Sequence, residues 1–126
     1  MSLSRQAQLL AGLLGFTAVI MAAVGSHLVT LPGQEAAMRS WQAANHMHLL
    51  HSVALLALSA LSRNEALPLL RWAAWSWAGG VILFSGSIYV ELLLNLPGNG
   101  GIAPVGGSLL ILGWVLLGIG SARART

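Results

Sequence analysis

A chain of 126 residues, 56% hydrophobic and only 7% charged, has too few solvated side chains to cover a water-soluble globule, for which about 25% charge is usual; lipid is the solvent that fits. The net charge of +3 comes from scattered arginines (Arg5, Arg39, Arg63, Arg71, Arg123 and Arg125) that form no basic patch, which argues against a nucleic-acid partner. The absence of cysteine excludes disulfides, thiolate metal sites and thiol catalysis, and the length allows one domain over 1–126.

From Gln6 to about Leu31 the chain is uncharged and mostly apolar, long enough for the ~20 residues that cross hydrocarbon. A basic start, an apolar run and Ala23-Val24-Gly25 have the outline of a cleavable signal peptide, but the run exceeds an ordinary signal core. It is therefore read as a retained first helix over about 7–28. Along it Ala11, Gly15, Ala18, Ala22 and Gly25 form a stripe of small residues, which lets another helix approach closely. Leu31-Pro32-Gly33 breaks the helix, and the polar stretch that follows has Glu35 and Arg39 at i, i+4. That spacing predicts a short interfacial helix near 34–42, with Trp41 as its anchor.

A second spanning helix is predicted over 43–61, opening on Asn45-His46-Met47-His48-Leu49-Leu50-His51-Ser52. After the turn at Ser62–Glu65, Pro68 suits the first turn of a third helix over 68–94. Trp72, Trp75 and Trp77 crowd its start as an aromatic belt does, and Gly79 and Gly86 offer a close-packing line. The Asn95–Gly101 stretch is dense turn chemistry. Pro104 suits the start of a fourth helix over 103–122, on which Gly106, Gly113 and Gly120 keep one seam bare beside Gly107. The fold expected is thus all-α, an up-down bundle of four transmembrane helices, with Gly15, Gly86, Gly106, Gly107 and Gly113 as packing positions. With four spans, Arg5, Arg63, Arg71, Arg123 and Arg125 share one side and only Arg39 lies on the other, so both termini are expected in the cytoplasm.

Up-down topology would bring His27, His46, His48 and His51 to the outer end, with Ser85, Ser87, Tyr89 and Glu91 arriving from the third helix. Ionisable groups at that depth are costly in lipid and should find partners inside the bundle. His27, His48 and His51 have the chemistry to hold a divalent metal, and two imidazoles suffice for a haem; imidazole also relays protons. The plainer reading is a hydrogen-bonded polar cluster in which His27, His51 and Tyr89 meet, completed by Ser85, Ser87 and Glu91. Other chemistry is poorly represented. The Gly-rich 98–107 stretch lacks the lysine of a phosphate-binding loop, and Ser85, Ser87 and Ser108 have no acid–base pair at triad-like spacing.

Gly25-Ser26-His27, Asn45 to Leu56, Leu83-Phe84-Ser85-Gly86-Ser87-Ile88-Tyr89 and Ala103-Pro104-Val105-Gly106-Gly107, closing with Gly113-Trp114, resemble in order the four signatures of domain-of-unknown-function family 423. That family contains small four-helix bacterial inner-membrane proteins and the eukaryotic transmembrane protein 256. The resemblance implies a four-span protein and marks His27, His51, Ser87, Tyr89, Pro104, Gly106, Gly107 and Trp114 as signature positions; it implies no particular activity. Three positions depart from the pattern. Ser26 stands where alanine is usual, His48 stands where bacterial members often carry glutamine, and Glu91 is outside the pattern.

The function expected is a non-enzymatic structural or interaction component of the bacterial inner membrane, partnered by lipid and by itself or a larger membrane complex. No cofactor is required by that reading. The alternative is a protein that handles a metal, a haem or protons through the histidines.

Overall fold

Four stripes of buried residues, each at helical spacing, account for the architecture. The computed structural model describes residues 1–28, 33–63, 68–98 and 100–123. Over these the chain forms α1 (Leu3–Leu28), α2 (Glu35–Leu61), α3 (Pro68–Leu93) and α4 (Ile102–Arg123), with no strand among the described residues. On α1 the stripe is Leu3, Ala7, Ala11, Leu14 and Ala18. On α2 it runs through Trp41, Ala44, His48, His51, Ser52, Leu55, Leu58 and Ser59. Such three- and four-residue spacing keeps one side of a helix facing its neighbours.

Each helix is antiparallel to the next. Ser4 near the start of α1 meets Ser59 near the end of α2, and Met21 far along α1 meets Trp41 near the start of α2. The α2–α3 pair is the inner one; α1 packs chiefly on α2, α4 packs on α3, and α1 and α4 make no close backbone approach. The core gathers Leu55 and Leu58 with Leu70, Ala74, Trp77 and Val81, closed by Leu14 from one side and Leu110 from the other. Outside it, Leu13, Phe16, Val53, Ile82 and Ile111 are each more than half exposed, an apolar exterior that water would not tolerate over so much surface.

Two expectations change. The short helix near 34–42 is not separate: α2 runs unbroken from Glu35, because no Gly or Pro interrupts it and Trp41 and Ala44 extend the stripe of His48. Trp41 is accordingly no interfacial anchor; it is 3% exposed and stacks on Tyr89 at 4.7 Å. Four long helices form, as expected. By length and apolar composition three helices qualify to cross a membrane, over Leu3–His27, Pro68–Leu93 and Ile102–Arg123. The fourth, α2, is equally long, but Asn45, His46, His48, His51 and Ser52 crowd its central turns.

The tightest backbone approach is between α3 and α4. A Cβ placed on Gly106 would overlap the backbone of Leu83 and Phe84, and one on Gly113 would overlap the Trp77 indole. Gly120 lies against Leu69 on the same line, while a Cβ on Gly107 or Gly15 would make only ordinary contact, 3.7 Å from Phe84 and 3.8 Å from Ser52. Gly86 serves no such contact: a Cβ there meets nothing within 4 Å, because that side of α3 opens onto a groove. Backbone cannot yield as a flexible side chain can, so the two glycines should respond differently. Gly106→Ala is expected to cost about 2 kcal/mol or more by overpacking, whereas Gly86→Ala should stay within about 0.5 kcal/mol of the parent. Unfolding of the two variants in detergent micelles, followed by circular dichroism, checks this.

Candidate functional site

His48 lies midway along the 27 residues of α2, on the face shared with α1 and α3. Its Nε2 is 3.0 Å from Thr17 Oγ1 on α1, and its Nδ1 is 3.0 Å from the Tyr89 hydroxyl on α3. Asn45, one turn earlier on α2, donates from Nδ2 to the Ala18 carbonyl at 2.8 Å and to the Tyr89 hydroxyl at 3.2 Å. The Thr17 hydroxyl in turn lies 3.0 Å from the Leu13 carbonyl of its own helix.

The proton positions follow from the donor count. Asn45 must present its amide NH₂ to Ala18, since a carbonyl can only accept. Tyr89 already accepts from Asn45, so its own proton needs an acceptor, and His48 Nδ1 is the one in reach. Nε2 must then carry the ring proton and donate to Thr17, whose hydroxyl passes its proton to Leu13. The result is one directional chain: Asn45 to Tyr89 to His48 to Thr17 to the Leu13 carbonyl. The opposite tautomer would leave the Tyr89 proton without a partner, which is costly in an apolar interior.

His51 is settled in the same way. Its Nδ1 is 2.8 Å from the Met47 carbonyl and must donate; its Nε2 therefore accepts, from the Trp114 indole N–H at 3.0 Å. Trp77 completes an aromatic group, 4.6 Å from Trp114 and 5.9 Å from His51 between ring centroids. The Trp77 indole nitrogen is the buried polar side-chain atom left without a hydrogen bond among the described residues. Three residues of helix separate His48 from His51, and that rotation of about 60° suffices to aim one ring at α1 and α3 and the other at α4.

The expected meeting of His27, His51 and Tyr89 does not occur. His27 is exposed in the last turn of α1, about 15 Å along that helix from Thr17. The reason is the early start of α2, which sets His48 and His51 about 12 Å deeper than a start at Ala43 would. His46 is exposed. No three His, Asp or Glu side chains among the described residues are grouped to hold a metal ion, so His27, His48 and His51 do not form a ligand set. The third-helix group divides as well. Ser85 and Tyr89 face α2, where the Ser85 hydroxyl donates to the Ala44 carbonyl at 2.7 Å. Ser87 bonds the Phe84 carbonyl of its own helix and shares with Glu91, Gly86 and Ile102 a groove near the start of α4.

Thr17 was not singled out from sequence. It was one uncharged polar residue in an apolar run, which is the signal that could have found it. Trp114, marked from sequence as a signature position without a partner, is 45% exposed and acts through its N–H.

Apolar helices closed around buried, mutually bonded polar groups define a polytopic membrane protein. The chain belongs to the family described as Protein of unknown function (DUF423), whose profile matches residues 21–107. It is 32% identical over 109 residues to UPF0382 membrane protein SAB0533 of Staphylococcus aureus (strain bovine RF122 / ET3-1), covering 86% of this chain and 88% of that one. It is 30% identical over 115 residues to UPF0382 membrane protein SERP0230 of Staphylococcus epidermidis, covering 91% and 93%. To UPF0382 inner membrane protein YgdD of Escherichia coli (strain K12) it is 29% identical over 122 residues, covering 97% and 93%. No solved structure matches the chain.

Tyr89 is the member through which α3 joins the chain of bonds. Tyr89→Phe should lower stability by about 1–2 kcal/mol, since it strands His48 Nδ1 and one Asn45 N–H in the core. Ser87→Ala, which removes a bond within one helix, should change it by less than about 0.5 kcal/mol. Denaturant titration in micelles separates the two, and equal losses would deny Tyr89 its linking role.

Proposed function

We propose that this chain is a non-enzymatic protein of the bacterial inner membrane that serves as a structural or interaction component, its histidines joining helices rather than holding a metal, a haem or mobile protons. One observation carries the reading: all four ring nitrogens of His48 and His51 are engaged by partners from the chain itself. A ligand would have to break those bonds before it could form its own.

The proton-handling alternative has a chain of bonds in its favour but no path beyond it. The chain stops at the Leu13 carbonyl, and the next interhelical polar contact on α1 and α2 is between Ser4 and Ser59. From His48 to Ser59 is about 16 Å of helix; the buried Ser52 hydroxyl in that stretch turns back to the His48 carbonyl, and beyond it the buried residues are Ala11, Ala7, Leu55 and Leu58. Such a plug favours a static role.

In this reading α2 crosses the membrane with the other three, supported by its antiparallel packing against α1 from Ser4–Ser59 to Met21–Trp41. With four crossings, the arginine distribution favours both termini in the cytoplasm. The inner membrane is the location named for the relative YgdD.

Three measurements test the reading. A C-terminal reporter that fluoresces only in the cytoplasm should be bright; a dark one, with a periplasm-active reporter working at the same site, reverses the orientation. The purified chain should show no Soret band and no stoichiometric metal, and crosslinking in native membranes should yield adducts with itself or another membrane protein. A Soret band lost in His51→Ala, or a chain that never crosslinks, would overturn the corresponding half.

A further inference from the structure

Charge in this molecule is divided between its two ends. Among the described residues Arg5, Arg63, Arg71 and Arg123 lie at the end where α1 and α3 begin, and Glu35, Arg39 and Glu91 lie at the other. At the arginine end two donors from α3 converge on one exposed oxygen. Arg71 Nη1 donates to Gln6 Oε1 at 2.7 Å, and the Trp75 indole N–H points to the same oxygen at 3.4 Å. Gln6 is a neutral amide, so this contact itself offsets none of the Arg71 charge.

Trp75 faces two ways. Its N–H is turned toward Gln6, while its ring, with Trp72, Leu109, Leu112 and Leu116, walls a groove of about 430 Å³ between α3 and α4. The Ser76 hydroxyl at the edge of that groove is turned into the Leu109 carbonyl at 2.6 Å, so the lining is apolar. Trp72 and Trp75 stand 65% and 48% exposed. From Leu109 to Leu116 the groove follows about 10 Å of helix, against ~15 Å for the hydrocarbon of one leaflet.

We propose that this groove seats an acyl chain of an anionic phospholipid, with the lipid phosphate on Arg71 and the Trp75 N–H where the Gln6 oxygen now lies. The guanidinium selects an anion and offers it several donors in one plane. The indoles sit at the depth where aromatic rings meet headgroups, and the apolar floor below them selects a lipid over a free phosphate. Two other grooves among the described residues lack the pairing: the one beside Ser87 has Glu91 in its wall, and the one beside His51 and Phe84 has no charged residue.

Tryptophan fluorescence reads the proposal directly. The full chain is reconstituted in phosphatidylcholine vesicles containing a minor fraction of phosphatidylglycerol, with brominated chains carried by one lipid or the other at equal mole fraction. Bromine on phosphatidylglycerol should quench more strongly, corresponding to about fivefold preferential association for one well-placed arginine. Arg71→Gln should abolish the preference and Arg71→Lys should keep part of it. In Trp72→Phe/Trp75→Phe it should vanish although Trp41, Trp77 and Trp114 remain. Equal quenching by the two lipids in the parent, or a preference that survives in Trp72→Phe/Trp75→Phe, overturns the proposal. So does loss of the preference when inorganic phosphate is added at constant ionic strength, since the site would then be one for the free anion. Should Arg71→Gln fail to fold, as circular dichroism would show, the tryptophan variant decides alone.

Discussion

Polar groups sealed among apolar helices must be paired, and the pairing of His48 is the constraint on which this fold turns. An imidazole has two nitrogens on opposite sides of a rigid ring, one a donor and one an acceptor when neutral. With one committed to Thr17 on α1 and the other to Tyr89 on α3, the ring fixes the rotation of α2 about its own axis. A turn of α2 in either direction would break a bond on one side and bury an unpaired nitrogen. His51, engaged by its own helix and by Trp114, holds α4 to the same rotation. One helix thus carries the registration of three others.

The two hairpins are held by different means. Between α3 and α4 most of the work is done by shape: glycines at 106, 113 and 120 let backbone and indole rings come close, the dispersion-dominated packing that lipid allows, with the Ser76 hydroxyl donating across to the Leu109 carbonyl. Between α1 and α2 polar bonds are added to it. Trp41 and Asn45 donate across the interface to main-chain carbonyls inside α1, which is possible because an oxygen already used in the helix has a second lone pair; Ser4 donates to the Ser59 carbonyl in the last turn of α2, where the helix supplies no i+4 donor. The polar composition that keeps α2 from qualifying as a span is the same composition that supplies these bonds.

Much of this was legible in the sequence, and what was not has specific causes. The bounds predicted for α1, α3 and α4 lie within a few residues of those observed, because Pro, Gly and charge punctuate them and the runs between are long. The start of α2 was misplaced because Glu35, Arg39 and Gln42 look like a connector; the repeat of Trp41, Ala44 and His48 at helical spacing, visible in the sequence, carried the better signal. That error of eight residues is what drew His27 into the site. Family membership, read from four short signatures, is borne out by the match over residues 21–107. His48, His51, Ser85 and Tyr89 were named as polar residues in need of partners, but not which partner each would take. Whether a ring turns toward α1 or α4 depends on helix rotation and side-chain reach, neither of which spacing along one strand of sequence determines.

The one-way order of the donors has an electrical consequence. Each group between Asn45 and Leu13 gives one proton and receives one, and His51 does the same, so the described middle of the molecule holds no formal charge. A transmembrane voltage does work only on charge or on dipoles that can reorient, about 2.3 kcal/mol per elementary charge per 100 mV. The charged side chains described here all lie toward the helix ends, and the dipoles between them are pinned by their neighbours. A membrane voltage therefore finds no formal charge in the described middle of this molecule to act on, and the dipoles there are held by their neighbours.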